Sequence, residues 1–115
     1  MTKRSQRAFV RDIYDCIRKV DIYVGGMSKS EFRKNDAMQD ATVRRIEIIG
    51  EAAKNIAADF KKEHKEIPWK DICGMRDILT HDYFGINFDK VWKTIKEDLP
   101  PLKDKIKAIL KDMRD

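Results

Sequence analysis

Cysteine, proline and glycine are scarce in this chain, at two, three and five of 115 residues. Cys16 and Cys73 are far apart, form no C-x-x-C pair and have no clustered His or Asp to complete a metal site. A disulfide framework and a zinc module are thereby excluded, and both cysteines are expected as reduced core residues. No apolar stretch approaches membrane-spanning length, and none follows the basic start from Met1 to Arg7. This predicts a cytoplasmic protein with no membrane partner. Internal repeats, low-complexity tracts and convincing strand patterns are also missing.

What remains is charge and helical periodicity. Hydrophobic residues make up 42% of the chain and charged residues 39%, the balance of a helical domain with broad solvated faces. The length suits one domain spanning residues 1–115. Lys and Arg number 25 against 20 Asp and Glu, a net charge of +5 that favours an anionic partner. The basic residues are spread along the chain, which argues against a disordered nucleic-acid tail. Lysine-rich helices that are merely well solvated would look the same.

From about Lys3 to Val24, Phe9, Ile13, Cys16 and Val20 recur at steps of four, three and four, and Gly25-Gly26 ends the pattern. Ser28 and Glu31 have capping-box spacing, so a short second helix should carry Phe32 to the core. Asn35 or Asp36 can cap a third helix with Ile46, Ile49, Ala53, Ile56 and Phe60 on one face, running to about Lys62. On its opposite face Arg44, Glu47, Glu51 and Asn55 form a polar stripe, readable as solvated and salt-bridged. A charged connector with His64, expected at the surface, leads to Pro68 in the first turn of a fourth helix carrying Trp69, Ile72, Met75 and Leu79. Gly85-Ile86-Asn87 breaks the pattern, Asn87 or Asp89 can cap a fifth helix, and Pro100-Pro101 interrupts the backbone before a last segment. The expected fold is an all-α, antiparallel up-and-down bundle of about five helices.

The residues able to do chemistry gather in Met75-Arg76-Asp77-Ile78-Leu79-Thr80-His81-Asp82-Tyr83-Phe84. Arg76 offers a permanently charged fork for phosphate oxygens, His81 exchanges protons near neutral pH, and Tyr83 adds a hydroxyl. Metal-free RNA cleavage needs a base for the ribose 2′-hydroxyl and a cation for the phosphate under attack, roles that suit His81 and Arg76. Asp77, one turn before His81, could orient the imidazole or face solvent. On an unbroken helix, however, Arg76 and His81 project about 140° apart. Either the helix frays at Thr80 to His81, or motifs from two chains line one cleft; the second is favoured.

Four passages resemble the HepT-like branch of the HEPN superfamily, whose members are small helical ribonucleases and toxins. They are Arg44-Arg45-Ile46-Glu47-Ile48-Ile49-Gly50-Glu51-Ala52-Ala53-Lys54, Ile67-Pro68-Trp69-Lys70-Asp71-Ile72, the stretch Arg76 to Tyr83 with its R-x4-H-x-Y pattern, and Val91-Trp92-Lys93 leading to Asp98-Leu99-Pro100. The resemblance implies that Arg76 and His81 form a ribonuclease site in a homodimer with facing motifs. The implied cut needs no metal or other cofactor and leaves a cyclic phosphate. Asp77 stands where the family commonly has asparagine. The implied partners are RNA and a nucleotidyltransferase antitoxin that transfers AMP to Tyr83. Arg44, Glu47 and Glu51 match family positions that line or brace the cleft. The alternative expectation is a non-catalytic HEPN module that binds a nucleotidyltransferase or a nucleotide.

Overall fold

The computed structural model describes residues 5–80 and 87–113, with side chains up to residue 75 and from residue 87. Ser5 is extended, and its side chain accepts the Ala8 N–H, which starts α1 (Gln6–Val24) slightly later than the expected Lys3. Val10, Ile13, Cys16, Ile17, Val20 and Val24 are buried along one side of α1, while Phe9, which the spacing placed on the same stripe, is half-buried against that core. At its end the Gly25 N–H donates to Asp21 O at 2.8 Å, and Gly26 adopts φ 80°, a left-handed conformation natural only to glycine.

The capping box forms as expected at the start of α2 (Lys29–Arg33). The Glu31 N–H donates to Ser28 Oγ at 3.0 Å, and the Ser28 N–H donates to Glu31 Oε1 at 2.9 Å. This single turn exists to seat Phe32, which is fully buried. Asn35 caps α3 (Asp36–Asn55) by accepting the Met38 N–H. Gln39 Nε2 reaches back to donate to the carbonyls of Phe32 and Arg33, both at 2.9 Å, tying the start of α3 to the end of α2.

The third helix does not continue to Lys62. It stops at Asn55, Ile56 turns extended with ψ 136°, and a separate α4 (Ala58–Glu63) follows. Two bonds account for the break. Asn55 Nδ2 takes the Glu51 carbonyl at 2.8 Å, and the Ala57 N–H leaves the helix to donate to Gln6 Oε1 at 2.7 Å. Asn is a residue whose side chain competes with helical backbone bonds in this way. The bend keeps Ile56 in the core and sets the Phe60 ring 4.4 Å from that of His64.

α5 (Trp69–Thr80) begins directly after Pro68, whose carbonyl accepts the Ile72 N–H at 3.0 Å. α6 (Phe88–Lys93) is capped by Asn87 Oδ1, as expected. Pro100-Pro101 does not interrupt the backbone. A π-helical turn (Thr94–Asp98) links α6 to α7 (Leu99–Asp112), and the Leu99 N–H donates to Thr94 O, five residues back. Widening the helix just before two residues without N–H groups lets it run on, with the prolines in the first turn of α7 where they are tolerated.

α3 packs against both α1 and α5, while α1 also packs on α7. The buried apolar residues form one cluster drawn from all of these elements. The fold is therefore an all-α bundle whose long members are α1, α3, α5 and the α6 to α7 rod. No strand occurs among the described residues. None of their helices is long and apolar enough to cross a membrane.

Candidate active site

The described part of the motif, its backbone from Arg76 to Thr80, is placed by α5. Its first residue, Trp69, is held from outside the helix, since Nε1 donates to His64 O at 2.9 Å. Ile72 is fully buried and Met75 nearly so, fixing the face that α5 turns to the core. Fully burying an apolar side chain of this size contributes about 1.5–3 kcal/mol, so the rotation of α5 is firmly set. Arg76 and Asp77 follow in the same helix, which is α-helical through Thr80. The alternative of a fray at Thr80 to His81 reaches outside the described residues. The side chains of Arg76 and Asp77, and the whole of His81 and Tyr83, lie outside the described residues.

The polar stripe of α3 sits where the 100° rule placed it, away from the buried face made by Thr42, Ile46, Ile49 and Ala53. Arg44 Nη1 and Glu47 Oε2 are 3.9 Å apart, with the side chains 58% and 30% exposed. An ion pair this long and this solvated contributes little to stability, which leaves both groups available to a partner at that surface. Glu51 is exposed one turn further on, where its carbonyl is taken by Asn55. Arg44 and Glu47 are therefore brought together as neighbours three residues apart on α3.

Beyond the motif the described residues begin again at Asn87, and here the structure shows an anchor that the sequence reading did not contain. Asp89, on the first turn of α6, lies 3.2 Å from Lys29 Nζ and 3.5 Å from Arg33 Nη2, both on α2. The Phe32 ring packs against Phe88 at 5.6 Å and Trp92 at 5.4 Å, and the Arg33 guanidinium stands 4.3 Å over Phe88. The segment from Ser28 to Arg33 thus clasps the first turn of α6. The only local hint was the capping box that presents Phe32. Its partners lie 56 residues away, at the separation of Arg33 from Asp89.

On another side, α5 and the π-helical turn with α7 enclose an open cleft of about 520 Å³. Ile72, Met75 and Leu102 contribute its apolar lining, while Lys70, Asp71, Glu97, Asp98 and Lys105 bring both signs of charge. No group of three or more His, Cys, Asp or Glu suited to a metal ion occurs among the described residues. Both cysteines are free. Burial pushes the Cys16 thiol up, against the opposing pull of Arg45, so it is a packing residue and not a nucleophile.

The chain is thus a small all-α bundle in which a packed helix carries Arg76, with His81 and Tyr83 following in the sequence, and it falls in a class of ribonucleases. The family model described as Ribonuclease HepT-like matches residues 13–109, and the chain belongs to that family. A protein of Thermococcus cleftensis named probable ribonuclease HepT is 42% identical over 109 residues, covering 95% of this chain and 99% of its own. A protein of Caldanaerobacter subterraneus subsp. tengcongensis, named as a putative RNase, is 46% identical over 87 residues, with coverage of 76% and 78%. A third relative, also named as a putative RNase, comes from Methanocaldococcus jannaschii and is 37% identical over 115 residues, with coverage of 100% and 99%. No solved structure matches the chain significantly.

Proposed function

We propose that this protein is a metal-independent RNA endonuclease, the toxin of a HEPN and nucleotidyltransferase toxin-antitoxin pair. The observation that carries the reading is the family match over residues 13–109, which includes the whole Arg76 to Tyr83 motif, together with the position of Arg76 in a firmly packed helix. In the reaction His81 takes the proton of a ribose 2′-hydroxyl as the oxygen attacks the adjacent phosphorus. Arg76 holds the phosphate oxygens on which charge builds up. The 5′-oxygen of the next nucleotide leaves, collecting a proton, and a 2′,3′-cyclic phosphate remains. Asp77 orients the imidazole from one helical turn away. Arg44, Glu47 and Glu51 brace the cleft from α3.

Two copies of the chain supply facing motifs in this reading, which removes the need for Arg76 and His81 of one helix to meet. Arg76 of one protomer and His81 of its partner then act on one phosphate. Tyr83 is the acceptor through which the antitoxin silences the enzyme. An adenylate placed there sets phosphate beside Arg76 and occupies the space that the RNA phosphate needs.

The test is cleavage of total cellular RNA by wild-type and His81→Ala protein in excess chelator, after intact-mass analysis has shown that Tyr83 carries no adduct. Cleavage by the wild type alone is the expected result. Equal cleavage by both would remove His81 from the mechanism. No cleavage by unmodified, dimeric wild-type protein would favour the binding module that contacts a nucleotidyltransferase without cutting RNA.

A further inference from the structure

The cations that are dispersed in the sequence are gathered by the fold along the α2 and α6 side of the molecule. Lys29 and Arg33 flank Asp89, and the Arg33 guanidinium stands over Phe88 while remaining 60% exposed. Phe88 is stacked with Trp92 at 6.4 Å, and Lys96 Nζ lies 4.8 Å above the Trp92 ring. Lys93, exposed, follows Asp89 by one helical turn and so stands on its side of α6. Contacts therefore run without a gap from Lys29 to Lys96, where four cations, Lys29, Arg33, Lys93 and Lys96, stand among the carboxylates of Asp89 and of Glu31, the latter turned to the Ser28 N–H. Glu97, next in the chain, belongs to the rim of the separate cleft against α5.

We propose that this strip is a docking surface for the sugar-phosphate backbone of single-stranded RNA. The proposal rests on the ribonuclease reading for the identity of the strand. Three features favour RNA over an acidic protein. Cations interleaved with aromatic rings are the arrangement that grips single strands, through phosphates on the cations and bases on flat faces. The Arg33 plane, held over Phe88 and open to solvent, offers such a face to a base. Phe88 also follows Tyr83 by only five residues, a length of chain that spans at most about 18 Å, so a strand cut at the motif is within reach of this surface.

The experiment compares binding of a fluorescein-labelled 2′-O-methyl uridine 12-mer, which cannot be cut by 2′-hydroxyl attack, to wild type, K93E/K96E and K107E/K111E, by anisotropy over a salt series. Lys107 and Lys111 are exposed on α7 and provide the charge-matched control. Loss of two phosphate contacts lowers the log-log salt slope by about 1.4, and the affinity is expected to drop about tenfold or more for the strip variant, with less than a twofold change beyond net charge for the control. Thermal melts of the variants establish that each is folded. Equal weakening by both pairs, or binding by K93E/K96E as tight as wild type, would overturn the proposal. So would RNA binding that is unchanged while an acidic protein partner is lost. Failure of the wild type to cut RNA would contradict only the catalytic reading, because the binding comparison stands without cleavage.

Discussion

Two pairs of helices in this bundle are joined in opposite ways. α1 and α3 meet through buried aliphatic side chains, Ile13, Ile17 and Val20 on one side and Ile46, Ile49 and Ala53 on the other, all within the same core. α2 and the first turn of α6 meet through one buried ring, Phe32, surrounded by half-buried rings and exposed ion pairs. The first junction removes apolar surface from water in bulk, and that supplies stability. The second removes little, and its directional contacts instead fix the start of α6 against α2. A small enzyme of this kind keeps stability and placement in different places.

The largest effect that would sharpen this contrast is expected within the motif itself. Arg76→Ala should lower RNA cleavage by about 100- to 1,000-fold, the usual loss on removing a group that stabilises developing charge, with the melting temperature unchanged. Activity assays paired with calorimetry check this. A variant that lost both together would make Arg76 a packing residue. Next in size, Ile46→Ala should lower unfolding free energy by about 2–5 kcal/mol in urea titrations, since the side chain is fully buried between packed helices. A loss below about 1 kcal/mol would mean that the α1 and α3 junction is not where stability resides.

Ser28→Ala removes the cap of α2 and should cost about 1 kcal/mol. The pH dependence carries a sign that can be worked out. The Glu31 carboxylate is held below its usual range by the Ser28 backbone N–H first and the Ser28 hydroxyl second. A group whose folded pKa is depressed stabilises above its unfolded pKa and loses that contribution as pH falls through the folded value. The difference between wild type and Glu31→Gln should therefore be full at neutral pH and vanish in acid, below the ordinary glutamate range. Smallest of all, Asp89→Asn should change stability by under about 1 kcal/mol, because both of its ion pairs are exposed. A change as large as that of Ile46→Ala would break the contrast between the two junctions.

How much of this was legible in the sequence followed the range of each interaction. The α1 stripe, the Ser28 and Glu31 box and the Asn35 and Asn87 caps are set by residues three or four apart, and each appears where the spacing placed it. The Arg44 and Glu47 pair was readable for the same reason. The end of α3 at Asn55 was not, because the bond that draws Ala57 away comes from Gln6 at the other end of the chain's first helix. Pro100-Pro101 misled the reading, since a π-helical turn absorbs the missing N–H groups without ending the rod. The clasp between α2 and α6 joins residues that no local pattern connects. Of the site, the residue types and their order were visible in the motif, whereas the surface that α2 and α6 form together had to be assembled by the fold.

The most direct test of the proposed chemistry is to map the ends left on a defined RNA cut by the unmodified wild-type protein in excess chelator. Attack by the 2′-hydroxyl under His81 and Arg76 predicts a 2′,3′-cyclic phosphate on one fragment and a 5′-hydroxyl on the other. A 5′-phosphate, or cleavage that stops when divalent metal is removed, would contradict it.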